Sequence, residues 1–375
     1  MSSVHALAIA ESFSINTMNV RNAVELVGVP SCHERSKEKD VAPDRHQKQA
    51  TKRNVLLVSI FLCCAILFSL FTVFYQVTQL GLGYLETTQV SRHVRVLQGN
   101  AGNSWQYRIL STYVVEWLIL GLTNLGFPRP IVTGFILFRI FQNTLIFLLA
   151  AFYYQKLGLN TYVILIGLSL LAWGMTHGLY DSDLQFNTYS DVIFYLAAGL
   201  IILLGQCAWL IPITGLAALN RETSGLIPLM LIAYTLWTNS RNKPRKIALM
   251  IAAVSCGLYG IIFFSLRHAY GEQPLIVHNG VQLGREFFVY NISQYETWVQ
   301  LFGTKGILPL MAIFSFRQWP DGLRAFFWAI VPIWFLVHPF VSIMAETRLF
   351  LVPFALIFVP GALFGIEGVR SIRQS

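Results

Sequence analysis

Residues 217 to 225 read AALNRETSG, and the apolar run GLIPLMLIAYTLW resumes at once. Arg221 and Glu222 are opposite charges set between two hydrophobic segments. MAETRLFLVPF, residues 344 to 354, repeats the arrangement with Glu346 and Arg348. Arginine offers a planar fork of donors that matches a phosphate, and a neighbouring glutamate can hold that fork in one direction. The plainer reading is an arginine reaching for lipid headgroups, balanced by an acid.

The stretch NSWQYRILSTYVVEWLILGL, residues 103 to 122, carries a third arginine. Trp105 and Tyr107 are residue types that settle at membrane interfaces. Arg108 follows them, and Glu116 lies about two helical turns on, roughly on the same side. The pair reads as an interfacial anchor or as a headgroup clamp, with Arg108 on the anion and Glu116 orienting a partner. DSDLQFNTYSD, residues 181 to 191, is the densest acidic stretch between apolar runs. Asp181 and Asp183 supply hard oxygens suited to a divalent cation or to a general base. Asp191 reads as the cap of the helix that follows.

Arg139 sits inside the apolar run 131–154, where a charge is expensive and normally faces a cavity or a partner. Lys305 lies between Gly303 and Gly306 in the run 298–316, a pattern that predicts a broken helix. His177 and His338 read as structural histidines near the ends of spans. Asn291-Ile-Ser has the form of an N-glycosylation sequon, a triplet that also arises by chance. Four of the five cysteines lie in apolar runs and Cys32 in the N-terminal tail, with no metal-ligand spacing. Phosphate-loop, dinucleotide-binding, HExxH and GxSxG motifs are absent, so soluble-type nucleotide and hydrolase chemistry has no support.

The elements that must position these residues are membrane helices. Of 375 residues 55% are hydrophobic and only 12% charged, against about 25% charged in soluble domains. Runs such as VLLVSIFLCCAILFSLFTVFY, residues 55 to 75, are long enough to cross the hydrocarbon layer. The net charge of +9 follows from lysine and arginine gathering on cytoplasmic loops and does not call for nucleic acid. Residues 1–54 are polar and poor in aromatics, which predicts a disordered cytoplasmic tail ahead of a membrane domain over 55–375. The first apolar run is expected to act as an uncleaved span.

Eleven apolar segments fall at about 55–77, 109–126, 131–154, 159–178, 190–205, 207–219, 224–238, 247–265, 298–316, 325–342 and 348–366. If 109–126 crosses, Arg241, Lys243, Arg245 and Lys246 land outside, against the tendency of basic loops to stay inside. If 109–126 lies along the outer interface or dips into it, ten spans remain and both termini are inside. The expectation is therefore an all-α polytopic protein of about ten transmembrane helices with one interfacial or re-entrant helix. The acids and arginines named above then share the outer face.

This layout resembles the GT-C superfamily of polytopic glycosyltransferases, which draw on polyprenyl-phosphate-linked sugars. The resemblance rests on a first span followed by a large loop with interfacial helices, 78–130. It also rests on YRIL at Tyr107–Leu110, RET at Arg221–Thr223 and ETR at Glu346–Arg348. It covers about 55–367. Members usually carry an aspartate in the first external loop; 78–130 has none, and its acids are Glu86 and Glu116.

The resemblance implies a multi-pass enzyme of the bacterial inner membrane that builds envelope glycan or lipid. It would move a sugar from a polyprenyl-phosphate donor to a lipid or glycan acceptor, with no cofactor beyond a divalent cation at most. Glu86, Asp181 or Asp183 would serve as base, and Arg108, Arg221 and Arg348 would hold the phosphate, with Glu116, Arg139, Glu222 and Glu346 lining the substrate. Alternatives are an O-antigen or exopolysaccharide polymerase, a transporter or lipid flippase, and a non-catalytic envelope scaffold. A transporter should show inverted halves, and no such symmetry is evident.

Overall fold

A computed structural model describes residues 45–180, 183–238, 245–274 and 280–374, with side chains described from Val55 to Gly368. Regular structure among the described residues is helical throughout. Residues 1–44 of the expected tail lie outside the described residues, and helix α1, Arg45–Leu80, begins within that tail.

The helices divide by length. Among the described residues six stretches are long and apolar enough to cross a membrane: Val55–Leu80 of α1, α4 (Pro130–Leu157), α6 (Phe186–Leu204), α9 (Arg245–Tyr270), α13 (Asp321–Val341) and Thr347–Gly368. The last is a composite that runs through a π-helical turn, Phe354–Phe358, into helix α14, Val359–Gln374. After α10 (Arg285–Ser293), a seventh span is available if α11 (Tyr295–Lys305) and α12 (Leu308–Phe314) act together across a 66° bend. The bend falls at Gly306, whose φ of 58° is a left-handed conformation that glycine adopts freely. The chain is thus a multi-pass helical membrane protein. Helices α3 (Ile109–Asn124), α5 (Thr161–Thr176) and the stretch Cys207–Ala218, which ends in α7 (Leu210–Ala218), are apolar but shorter. Helix α8, Leu226–Trp237, is also short.

Helix α4 shows how the bundle is held. Pro130 starts it with the φ a helix requires, and Gly158, at φ 103°, ends it. Its buried residues recur at helical spacing. Arg139, Gln142 and Asn143 occupy one end of that face, and Ile146, Phe147, Ala150, Ala151, Tyr153 and Tyr154 continue it. The face packs on α6, and the Tyr154 hydroxyl donates to the carbonyl of Ala355, 2.7 Å away. Polar groups in hydrocarbon must find partners inside the protein, and close approach takes the place of the hydrophobic drive. At Gly174 of α5 a Cβ would stand 2.6 Å from the Phe354 ring, so only glycine allows that approach. The composite Thr347–Gly368 is the most enclosed of the long helices and α9 the least.

A polar shelf covers one end of this bundle. Leu82–Tyr84, a π-helical turn at Leu85–Gln89 and helix α2, Val90–Leu97, follow α1 almost without a break. Gln106 ties the loop after α2 in place: its Oε1 accepts the amide of Ala101 at 3.0 Å and its Nε2 donates to the carbonyl of Val96 at 3.0 Å. The amide of Leu110, at the start of α3, donates to the carbonyl of Leu219 at 3.0 Å, joining this shelf to the NRETS turn.

A candidate anionic-headgroup site

The NRETS turn is built around Asn220, which is fully buried. Its Nδ2 donates to the carbonyl of Asn187 and its Oδ1 accepts from Ser111, both at 2.7 Å. Ser111 meets Ser190 at 2.9 Å, and Gln142 of α4 donates to Ser190 at 2.7 Å. One hydrogen-bonded chain therefore links α3, α4, α6 and the turn.

This chain sets the backbone of Arg221 in an extended conformation, from which the side chain enters the protein. Only 4% of the Arg221 surface is exposed, and its Nη1 lies 3.6 Å from Oδ2 of Asp191, itself wholly buried. Oδ2 of Asp191 also accepts from Thr223 at 2.8 Å. Nε of Arg221 and Oδ1 of Asp191 are buried and make no hydrogen bond among the described residues. Burial drives the Arg221 guanidinium down to about 10, with the charges of Arg108 and Arg348 pushing the same way against Asp191 and Glu222. Three arginines distant in sequence are therefore close enough to feel one another.

Each has its own carboxylate. Arg108 approaches Oε2 of Glu222 with Nε at 3.1 Å and Nη2 at 3.0 Å. Arg348 is paired with Glu346 and donates to the carbonyl of Tyr180 at 3.4 Å. Burial raises the Glu222 carboxyl, but Arg108, a backbone hydrogen bond and Arg221 outweigh it, so it titrates below its usual 4.5. Tyr259 and Tyr195 brace the turn by donating to the carbonyls of Glu222 and Thr223.

Above this layer lies a cleft of about 50 Å³, enough for a small anion, walled by Arg92, His93, Trp105, Arg108, Asp183 and Asn187 among others. Arg92 is ion-paired with Asp183 and stacks over Trp105, with its guanidinium carbon 4.6 Å from the ring centre. Oδ1 of Asp183 accepts the amide of Gln185 at 2.9 Å. Arg92 and Trp105 also wall a wider groove of about 530 Å³, lined by Thr87, Thr88, Ser91 and Arg95.

The expected site residues are thus distributed unevenly. Arg108, Asp183 and, one layer below, Arg221, Glu222, Glu346 and Arg348 come together. Arg139 is buried beneath them, with Nε 3.2 Å from Oε1 of Gln76 and its guanidinium over the Tyr189 ring. Glu116 pairs with His93 at 2.8 Å rather than with Arg108. Glu86 stands on the exposed flank, 3.4 Å from Arg129, and walls neither cavity. Asp181 lies outside the described residues.

Two readings of single residues change. Asp191 caps nothing: α6 begins at Phe186, and Asp191 lies inside it as the counter-ion of Arg221. Asn291 is fully buried, donating to the carbonyls of Pro339 and Ser342 and accepting the amide of Met344, each at 2.8 Å, so no sugar can reach its amide. Arg92, His93, Ser111, Gln142 and Ser190 escape a reading that looks for acids in the first loop. The signal available for Arg92 and His93 is the basic density of SRHVRV beside hydroxyl-rich ETTQ.

Among the described residues no group of three or more histidine, cysteine, aspartate or glutamate side chains is arranged to hold a metal ion. Comparison of the chain with protein-family models, with curated proteins and with solved structures finds no match.

Proposed function

We propose that this chain is an integral-membrane glycosyltransferase of GT-C type that takes a sugar from a polyprenyl-phosphate donor at the outer face of a bacterial inner membrane. One observation carries the reading: a phosphate-sized cleft walled by Arg92 and Arg108 shares Arg92 and Trp105 as walls with a wider groove lined by hydroxyls. Arginine forks suit phosphate oxygens, and hydroxyls beside an indole suit a sugar. Arg92 and Arg108 contact the phosphate, while buried Arg221 and Arg348 raise the positive potential beneath it. Charge that grows on the leaving phosphate is then met by groups already in place.

The sugar occupies the groove over Thr87, Thr88 and Ser91, stacked on Trp105. The acceptor, a lipid or glycan hydroxyl, attacks the anomeric carbon. Asp183 is committed to Arg92 and to the Gln185 amide, so it fixes the clamp and orients hydroxyls. Ten spans, counting the shorter helices as crossings, with α3 along the outer interface, complete the reading. The orientation is N-in and C-in.

The test uses the full chain in detergent, with polyprenyl-phosphate-linked hexoses as donors and membrane lipid extract as acceptor. Release of polyprenyl phosphate by the wild type, and its loss in Arg108→Ala, is the expected result. Absence of release from every donor in the panel removes the assignment.

A further inference from the structure

His93 and Glu116 are joined across the cleft wall, with His93 Nε2 2.8 Å from Glu116 Oε2. They belong to different elements, α2 and α3, that pack on one another. An ionised carboxylate only accepts, so a neutral imidazole bound to it must donate from Nε2. The lone pair then resides on Nδ1. Nδ1 has no hydrogen-bond partner among the described residues, nor is it among the atoms sealed from solvent. The ring itself is held on its other side by the edge-on contact with Phe135, centroids 5.5 Å apart. An oriented imidazole with an unoccupied basic nitrogen therefore stands in a cleft whose other charged walls are Arg92, Arg108 and Asp183.

We infer that His93 is the base that takes the acceptor's proton and that Glu116 is its positioning residue. The inference rests on the transferase reading above and supplies the group that reading leaves unnamed. In the step, an acceptor hydroxyl oxygen forms its bond to the anomeric carbon as its proton passes to Nδ1. The bond between that carbon and the phosphate oxygen breaks, and its electron pair leaves with the polyprenyl phosphate. The imidazolium is stabilised by the Glu116 carboxylate until it releases the proton to water. Asp183 is instead engaged by Arg92 and by the Gln185 amide.

The experiment uses the same donors and lipid extract with the full chain, following polyprenyl phosphate release. His93→Ala should lower kcat by about 100-fold or more, and free imidazole should restore part of it, since general-base contributions run at about 10² to 10⁴. His93→Gln, which keeps a donor for Glu116, should be as slow and gain nothing from imidazole. Glu116→Gln should lower kcat by about tenfold with KM unchanged, and Glu116→Asp should recover part of that.

Thermal unfolding checks that each variant is folded. Should His93→Ala fail to fold, His93→Gln and modification of wild-type His93 by diethyl pyrocarbonate decide. That reagent attacks an accessible unprotonated imidazole nitrogen, so His93 should be modified in the wild type. A folded His93 variant within threefold of wild type overturns the dyad while the transferase reading stands, and so does a His93 inert to the reagent. A wild type that releases nothing from any donor overturns the transferase reading itself and the step built on it.

Discussion

Nη1 of Arg221 and Oδ2 of Asp191 stand 3.6 Å apart in a region sealed from solvent, one on the turn before α8 and the other within α6. Neither fills its hydrogen-bonding capacity with the other. A buried charge is tolerable only while its counter-charge is present. Asp191→Ala should therefore cost roughly 3–5 kcal/mol of folding stability, and the double variant Asp191→Ala with Arg221→Met should regain much of it. Denaturant unfolding of the four proteins in one detergent measures the coupling.

On the transferase reading, the buried arginines act on the cleft through their field. Arg221→Lys and Arg348→Lys keep the charge but lose the planar fork that meets the carboxylate. If the buried layer supplies potential, these variants retain more polyprenyl phosphate release than the alanine variants, which fall by about tenfold or more. Equal activity in all four variants would disconnect this layer from the chemistry.

Acid should loosen the NRETS turn. Glu222 titrates below 4.5 in the folded chain, so below that value the unfolded chain binds the extra proton. The stability Glu222 contributes is complete above about 4.5 and is lost as pH falls through the folded value. The unfolding midpoint should drop on acidification, and Glu222→Gln should drop less over the same window.

Asn291 predicts an absence that mass spectrometry can read. Expressed in a glycosylating host, the chain should carry no glycan at Asn291, because the side chain is enclosed and fully hydrogen-bonded. Asn291→Ala should cost roughly 2–3 kcal/mol by leaving the amide of Met344 and two carbonyls without partners. A glycan at this position, or a neutral alanine variant, would contradict the burial.

The arginines of RET and ETR were legible in the sequence because an apolar background makes any charge conspicuous. The break at Gly306 was legible because glycine on both sides of Lys305 weakens a helix. Partners were not legible, because hydropathy carries no information about which helices meet. Asp191 reads as a cap because aspartate favours the first turn of a helix, yet Asn187, Ser190 and Tyr195 belong to the same buried face of α6. Polar residues spaced a helical turn apart within an apolar segment are the better sign that a face is enclosed. His93 carries no such sign, because a histidine signals chemistry only once its neighbours in space are known.

Arg92 and Trp105 are walls of both cavities, so the small chamber and the large one share a single flat partition of guanidinium and indole. A molecule that fits only the inner chamber meets this partition on one side, and anything attached to it continues past the same edge. On the transferase reading, size is selected at the anionic end, and a saccharide reaching past the partition is free to vary in length. On that reading the narrow chamber, and not the wide groove, sets which molecules are admitted.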